Sequence, residues 1–74
     1  MYKPRVRLRR ETVEIALTKM NLSQALFARK LMMTSGAFSQ YMTGTRVVSP
    51  HMRRKISAAL KGYKWDEIYE LMEE

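Results

Sequence analysis

A chain of 74 residues with 14 Lys and Arg, seven Asp and Glu and a net charge of +7 has room for one domain with a small core, since a domain of this size buries only about 60–65% of its unfolded surface. It has no Cys, which excludes disulfide scaffolds, thiolate metal sites and Cys nucleophiles, and its apolar runs fall far short of the roughly 20 residues that span a bilayer. Every Lys and Arg lies before residue 65, with only Glu11 and Glu14 to offset them, so one face can be strongly positive and a polyanion is the natural partner.

In chain order, the opening KPRVRLRR alternates charged and apolar residues over Arg5 to Arg9. Residues 1–9 read as a basic N-terminal arm that lies along phosphates or enters a minor groove, with Arg5, Arg7 and Arg9 as phosphate contacts. Two other readings stay open: Val6 and Leu8 tuck against the rest of the domain, or the first helix starts near Leu8. Residues 10–74 form the domain itself. Val13, Ala16, Leu17 and Met20 recur at spacings of three and four, which predicts a first helix from Arg10 to Met20, ended by Asn21 in the left-handed conformation. Glu11 and Glu14 sit near its positive end.

The stretch from Leu22 to Arg46 carries the most information. Ser23 can cap a second helix running through Leu31, on which Phe27, Ala28 and Leu31 share a face. Thr34 can cap a third, Ser35 to Thr43, where Phe38, Tyr41 and Met42 repeat at helical spacing before Gly44 stops it. Helices of under ten residues do not stand alone, so the two must cross closely, and Ala28 is small enough to let them. Residues 23–43 therefore read as a helix-turn-helix.

The order of polar, small and apolar positions here, Gln24, Ala28, Met33, Thr34, Phe38 and Gly44, resembles that of the Cro and phage-repressor (XRE-like) helix-turn-helix family, and the likeness extends from Val13 to about Leu71. The resemblance implies that the third helix lies in a major groove, with Ser35, Gly36, Ser39 and Gln40 at the base edges. Gln40 has the chemistry to pair bidentately with adenine. Gly36 lets the backbone approach closely. Gln24 would bond a phosphate at the start of the second helix, and Thr43, Thr45 and Arg46 would hold phosphates in the following loop. Two departures stand out. Met32 occupies a turn position where the family commonly has Gly, at a cost of roughly 1–2 kcal/mol if φ is positive there. No Lys or Arg falls between Thr34 and Thr43.

Ser49 and Pro50 predict the start of a fourth helix, with Met52, Ile56, Ala59 and Leu60 facing the core and Gly62 ending it. Arg53 and Arg54 either extend a phosphate track or form a solvated face. Trp65, Ile68, Tyr69 and Met72, at offsets of zero, three, four and seven, predict a fifth helix from Lys64 to Glu73, whose end should fray because Glu73 and Glu74 oppose its dipole. The expected fold is thus all-α, a compact five-helix bundle that the resemblance types as lambda-repressor-like. Trp65, Tyr69 and Met72 are either core or a homodimer seam that would set two recognition helices on half-sites ~34 Å apart.

The expected function is a sequence-specific DNA-binding regulator, a small repressor of a phage, plasmid or other mobile element that occludes a promoter, with double-stranded DNA as partner. His51 is the only His and Asp66 the only Asp, which leaves too little for a catalytic triad or a metal site; no enzyme activity, cofactor, metal or membrane is expected, and the location is the cytoplasm, at the nucleoid. The alternative is an interaction module of the same fold that binds a partner repressor protein through Tyr41, Met42 and the aromatic last helix.

Overall fold

The computed structural model describes residues 5–72. Residues 1–4 of the predicted arm, and Glu73 and Glu74 with the predicted fraying, lie outside the described residues. The elements run β1 (Arg5–Leu8), α1 (Arg10–Lys19), α2 (Gln24–Lys30), α3 (Ser35–Met42), α4 (Pro50–Ala59), α5 (Trp65–Ile68) and β2 (Tyr69–Met72).

The expectation of a purely helical five-helix bundle is corrected by the two strands, which pair antiparallel with Arg5 opposite Met72, Val6 opposite Leu71, Arg7 opposite Glu70 and Leu8 opposite Tyr69. Over Arg5–Leu8 the predicted arm is therefore a strand. Its alternation has the period of a sheet with one wet face: Val6 and Leu8 are buried, Arg5 is exposed and Arg7 half-buried. On the other side of β1, the Val48 N–H donates to the Val6 carbonyl at 2.7 Å.

The fifth helix stops at Ile68 rather than reaching Glu73. Its apolar offsets suit a helix, but β1 offers Tyr69–Met72 a partner that periodicity cannot reveal. The Arg9 N–H donates to the Ile68 carbonyl at 2.7 Å, and the Arg9 Nε–H donates to the Asp66 and Tyr69 carbonyls at 2.8 and 3.1 Å. Carbonyls that would be left open at the helix end are thus satisfied from outside it. The switch also takes Glu70 away from the negative pole of a growing helix and sets it opposite Arg7.

Elsewhere the helix signals operate locally. The hydroxyls of Ser23, Thr34 and Ser49 accept from the N–H groups of Leu26, Ala37 and Met52 at 3.1, 3.1 and 3.3 Å, and Pro50 occupies the first turn of α4. Asn21, φ 56°, ends α1 as expected. The Leu22 and Asn21 N–H groups reach back to the Leu17 and Thr18 carbonyls, forming a Schellman turn. The core joins every element, since Val6, Leu8, Val13, Phe27, Phe38, Ile56, Ile68 and Tyr69 all belong to one buried cluster. At its centre the Phe27 and Phe38 rings meet edge to face, centroids 5.4 Å apart, across a crossing where Ala28 is fully buried.

Candidate nucleic-acid interface

The turn between α2 and α3 is a second Schellman turn. The Met33 N–H donates to the Ala28 carbonyl and the Met32 N–H to the Arg29 carbonyl, at 3.0 and 2.9 Å, and Met32 takes φ 60°. Of the two cases left open for this position, the turn takes the one with positive φ, met by a non-Gly residue that is 86% exposed. Met33 packs half-buried against the core. From α4, the Lys55 ammonium donates to the Leu31 carbonyl at 2.8 Å, capping α2 at its negative end and tying the turn to the next helix.

This frame splits α3 into two rows. Phe38, Tyr41 and Met42 are buried, while Ser35, Gly36 and Gln40 are exposed and Ser39 is half-exposed. A Cβ at Gly36 would meet no heavy atom within 4 Å, so nothing inside the molecule requires a glycine there. Gln24 is exposed in the first turn of α2. After α3, Gly44 takes φ 80°, and the hydroxyls of exposed Thr43 and Thr45 lie 2.9 Å apart, with Thr43 also donating to the Gln40 carbonyl at 3.3 Å. The Arg46 guanidinium sits 5.6 Å from the centroid of the Tyr41 ring, which restricts an exposed cation beside the C-terminal end of α3.

The arginines of the N-terminal segment occupy different settings. Arg5 is exposed. Arg7 donates from Nε to Glu70 Oε1 at 2.7 Å. Arg9, besides its two carbonyl contacts, lies 3.5 Å from Glu70 Oε2. Arg53 is turned toward the Val48 carbonyl, 3.3 Å away, and Arg54 is exposed, as is His51 in the first turn of α4.

The stripe on the last segment is divided too. Trp65 is 42% exposed and Met72 half-buried, but Tyr69 is fully buried and cannot present its side chain to a second copy. Its hydroxyl donates to the Arg53 carbonyl and pairs with the Ser57 hydroxyl, both at 2.8 Å. Burial holds the phenol above its ordinary value of 10.0, against the opposing pull of Ser57 and Arg53.

Sequence reasoning missed Lys55 and Glu70. Each acts on residues far away in the chain, and their types carry no signal at that range. Among the described residues, no group of three or more His, Cys, Asp or Glu could hold a metal ion, and no helix is long and apolar enough to cross a membrane. No family model, curated protein or solved structure matches the chain.

Proposed function

We propose that the chain is a sequence-specific DNA-binding regulator of the Cro and phage-repressor (XRE-like) type, which lays the outer row of α3 in a major groove and acts by occluding a promoter. The observation that carries this reading is that outer row: Ser35, Gly36, Ser39 and Gln40 are accessible and small or amide-bearing, and their side chains make no hydrogen bond among the described residues. A helical glycine costs roughly 0.5–1 kcal/mol relative to Ala. With no neighbour to require it, its use lies in what approaches from outside. Gln40 reads adenine, Ser35 and Ser39 donate or accept at base edges, and Gln24, Thr43, Thr45 and Arg46 hold phosphates on either side. Of the surface that the partner-protein alternative would use, Tyr41, Met42 and Tyr69 are buried, which leaves it Trp65 of the last helix, 42% exposed.

The test is selection of duplex DNA from a random library by the purified protein at near-physiological salt, read by sequencing. Enrichment of a palindrome supports the reading and identifies the acting species as a dimer; a lone half-site supports it with a monomer. A folded protein that enriches nothing overturns it. Gln40→Ala should then relax preference at one base by roughly 1–3 kcal/mol, measured by binding to a set of single-base variants of the selected site.

A further inference from the structure

We propose that Arg7 is a fixed phosphate donor of the loop that follows α3, oriented by Glu70 and admitted by Gly44. The proposal rests on the DNA-binding reading above and adds to it one residue that the sequence did not single out, Glu70, and a second use for Gly44. A Cβ built on Gly44 would lie 3.3 Å from Arg7 Nη1 and 3.7 Å from its Cδ, so the Arg7 side chain passes alongside this glycine. Gly44 suits its position by its φ of 80°, and a side chain there would also press on Arg7, which would have to give by a few tenths of an ångström.

The other end of the arrangement is Glu70, 63 residues away in sequence, which accepts from Arg7 Nε at 2.7 Å. That contact uses one edge of the guanidinium. The two terminal nitrogens have no acceptor among the described residues, and the side chain keeps 39% of its exposure. A guanidinium offers its donors in a planar fork that matches two phosphate oxygens. Gly44, which Arg7 passes, stands in sequence between Thr43 and Thr45, whose hydroxyls lie 2.9 Å apart, and Arg46 follows in the same short loop. The result is a phosphodiester subsite whose deepest cation comes from β1 rather than from α3 or its loop. An arginine on a flexible arm must be ordered when it binds; Arg7 is ordered already, by the sheet and by Glu70. Arg9 has the opposite assignment, with its Nε–H turned to backbone carbonyls.

The experiment is the salt dependence of binding to the selected duplex and to an unrelated one, with a thermal melt of every variant. Arg7→Gln should make the slope of log affinity against log salt shallower by about 0.9, the value of one phosphate contact. It should also weaken both duplexes about tenfold at fixed salt, as expected for a charge-assisted hydrogen bond. Glu70→Gln should weaken binding several-fold although it makes the protein more positive. Lys19→Gln, the same charge change as Arg7→Gln on the exposed surface of α1, should leave the slope unchanged. A folded Arg7→Gln protein with the parental slope overturns the proposal, as does tighter binding by Glu70→Gln, which would make the carboxylate a competitor of phosphate. Should Arg7→Gln fail to fold, Arg7→Lys, which keeps the charge and loses the fork, must still bind more weakly; parental affinity overturns the proposal. A parent protein with no salt-sensitive affinity for any duplex removes the DNA reading and this proposal together. A parent that binds while Arg7→Gln keeps its slope removes the role of Arg7 alone.

Discussion

The two-helix unit and the two-stranded sheet reach order by different routes. In α2 and α3 each cap lies within three residues of the N–H it serves, Ser23 to Leu26 and Thr34 to Ala37, and the turn closes on carbonyls five residues back or fewer. In the sheet every important partner is remote: Arg5 faces Met72, Glu70 takes Arg7, and the Tyr69 hydroxyl reaches Arg53 on α4. Local order forms from short-range terms and is completed by packing. The sheet joins the first and last described segments, 5–8 and 69–72, so it carries the larger cost of loop closure.

The sharpest way to break this comparison is to strike the core that both regions share. Phe38→Ala removes the ring that meets Phe27 and should cost about 3–5 kcal/mol, a large part of the stability of a small domain. Trp65, the only Trp, packs 5.1 Å from the Tyr69 ring and reports on the sheet end, while far-UV dichroism reports on the helices. In urea titrations the two signals should shift together. A Trp65 transition left at the parental midpoint would show that the sheet end is a separate unit.

Tyr69→Phe strikes the remote side only. Losing the hydroxyl contacts to Arg53 and Ser57 should cost about 1–2 kcal/mol, read as a lower urea midpoint at pH 7. Because burial raises the folded phenol above its unfolded value of 10.0, the stability it contributes is fully present below pH 10 and declines as pH rises through the folded value. The gap between parent and Tyr69→Phe should therefore hold steady from pH 7 to 9 and narrow above 10. A gap that widens instead would reverse the assignment.

Met32→Gly sharpens the comparison from the local side. It relieves a left-handed residue at the end of α2 and should raise stability by about 1 kcal/mol. Asn21→Gly, at the equivalent position of the α1 turn, should gain only a few tenths, since Asn tolerates this conformation. Equal melting shifts for the two variants would contradict the idea that Met32 is the strained one. The smallest effect is expected at Gly36→Ala, a stabilisation of about 0.5 kcal/mol coupled to weaker binding of the selected duplex. Improved stability with unchanged binding would detach Gly36 from the interface.

These particulars show where sequence reading succeeds. Ser23, Thr34, Ser49 with Pro50, and Asn21 announce helix ends because each acts on the backbone within a turn of itself. Phe27, Ala28, Leu31, Phe38, Tyr41 and Met42 announce the inner faces because burial selects them at helical spacing, and all six are buried. By contrast, Trp65, Ile68, Tyr69 and Met72 fit a helix in spacing, and only the presence of β1 turns the last four described residues into a strand. Arg7 and Arg9 look alike in a basic run. Their separate fates, one beside Gly44 and one on the carbonyls that end α5, depend on where β2 lies.

By itself, the amino-acid sequence determined the four longer helices, the N-caps of α2, α3 and α4, the faces they bury and the outer row of α3, because those features arise from interactions between near neighbours and from apolar periodicity. Tertiary structure alone decided that residues 5–8 and 69–72 pair as a sheet, that Tyr69 is core, that Lys55 caps α2 and that Glu70 orients Arg7. Each of these is a contact between residues distant in the chain, whose free energy exists only once the helices have brought the two partners together.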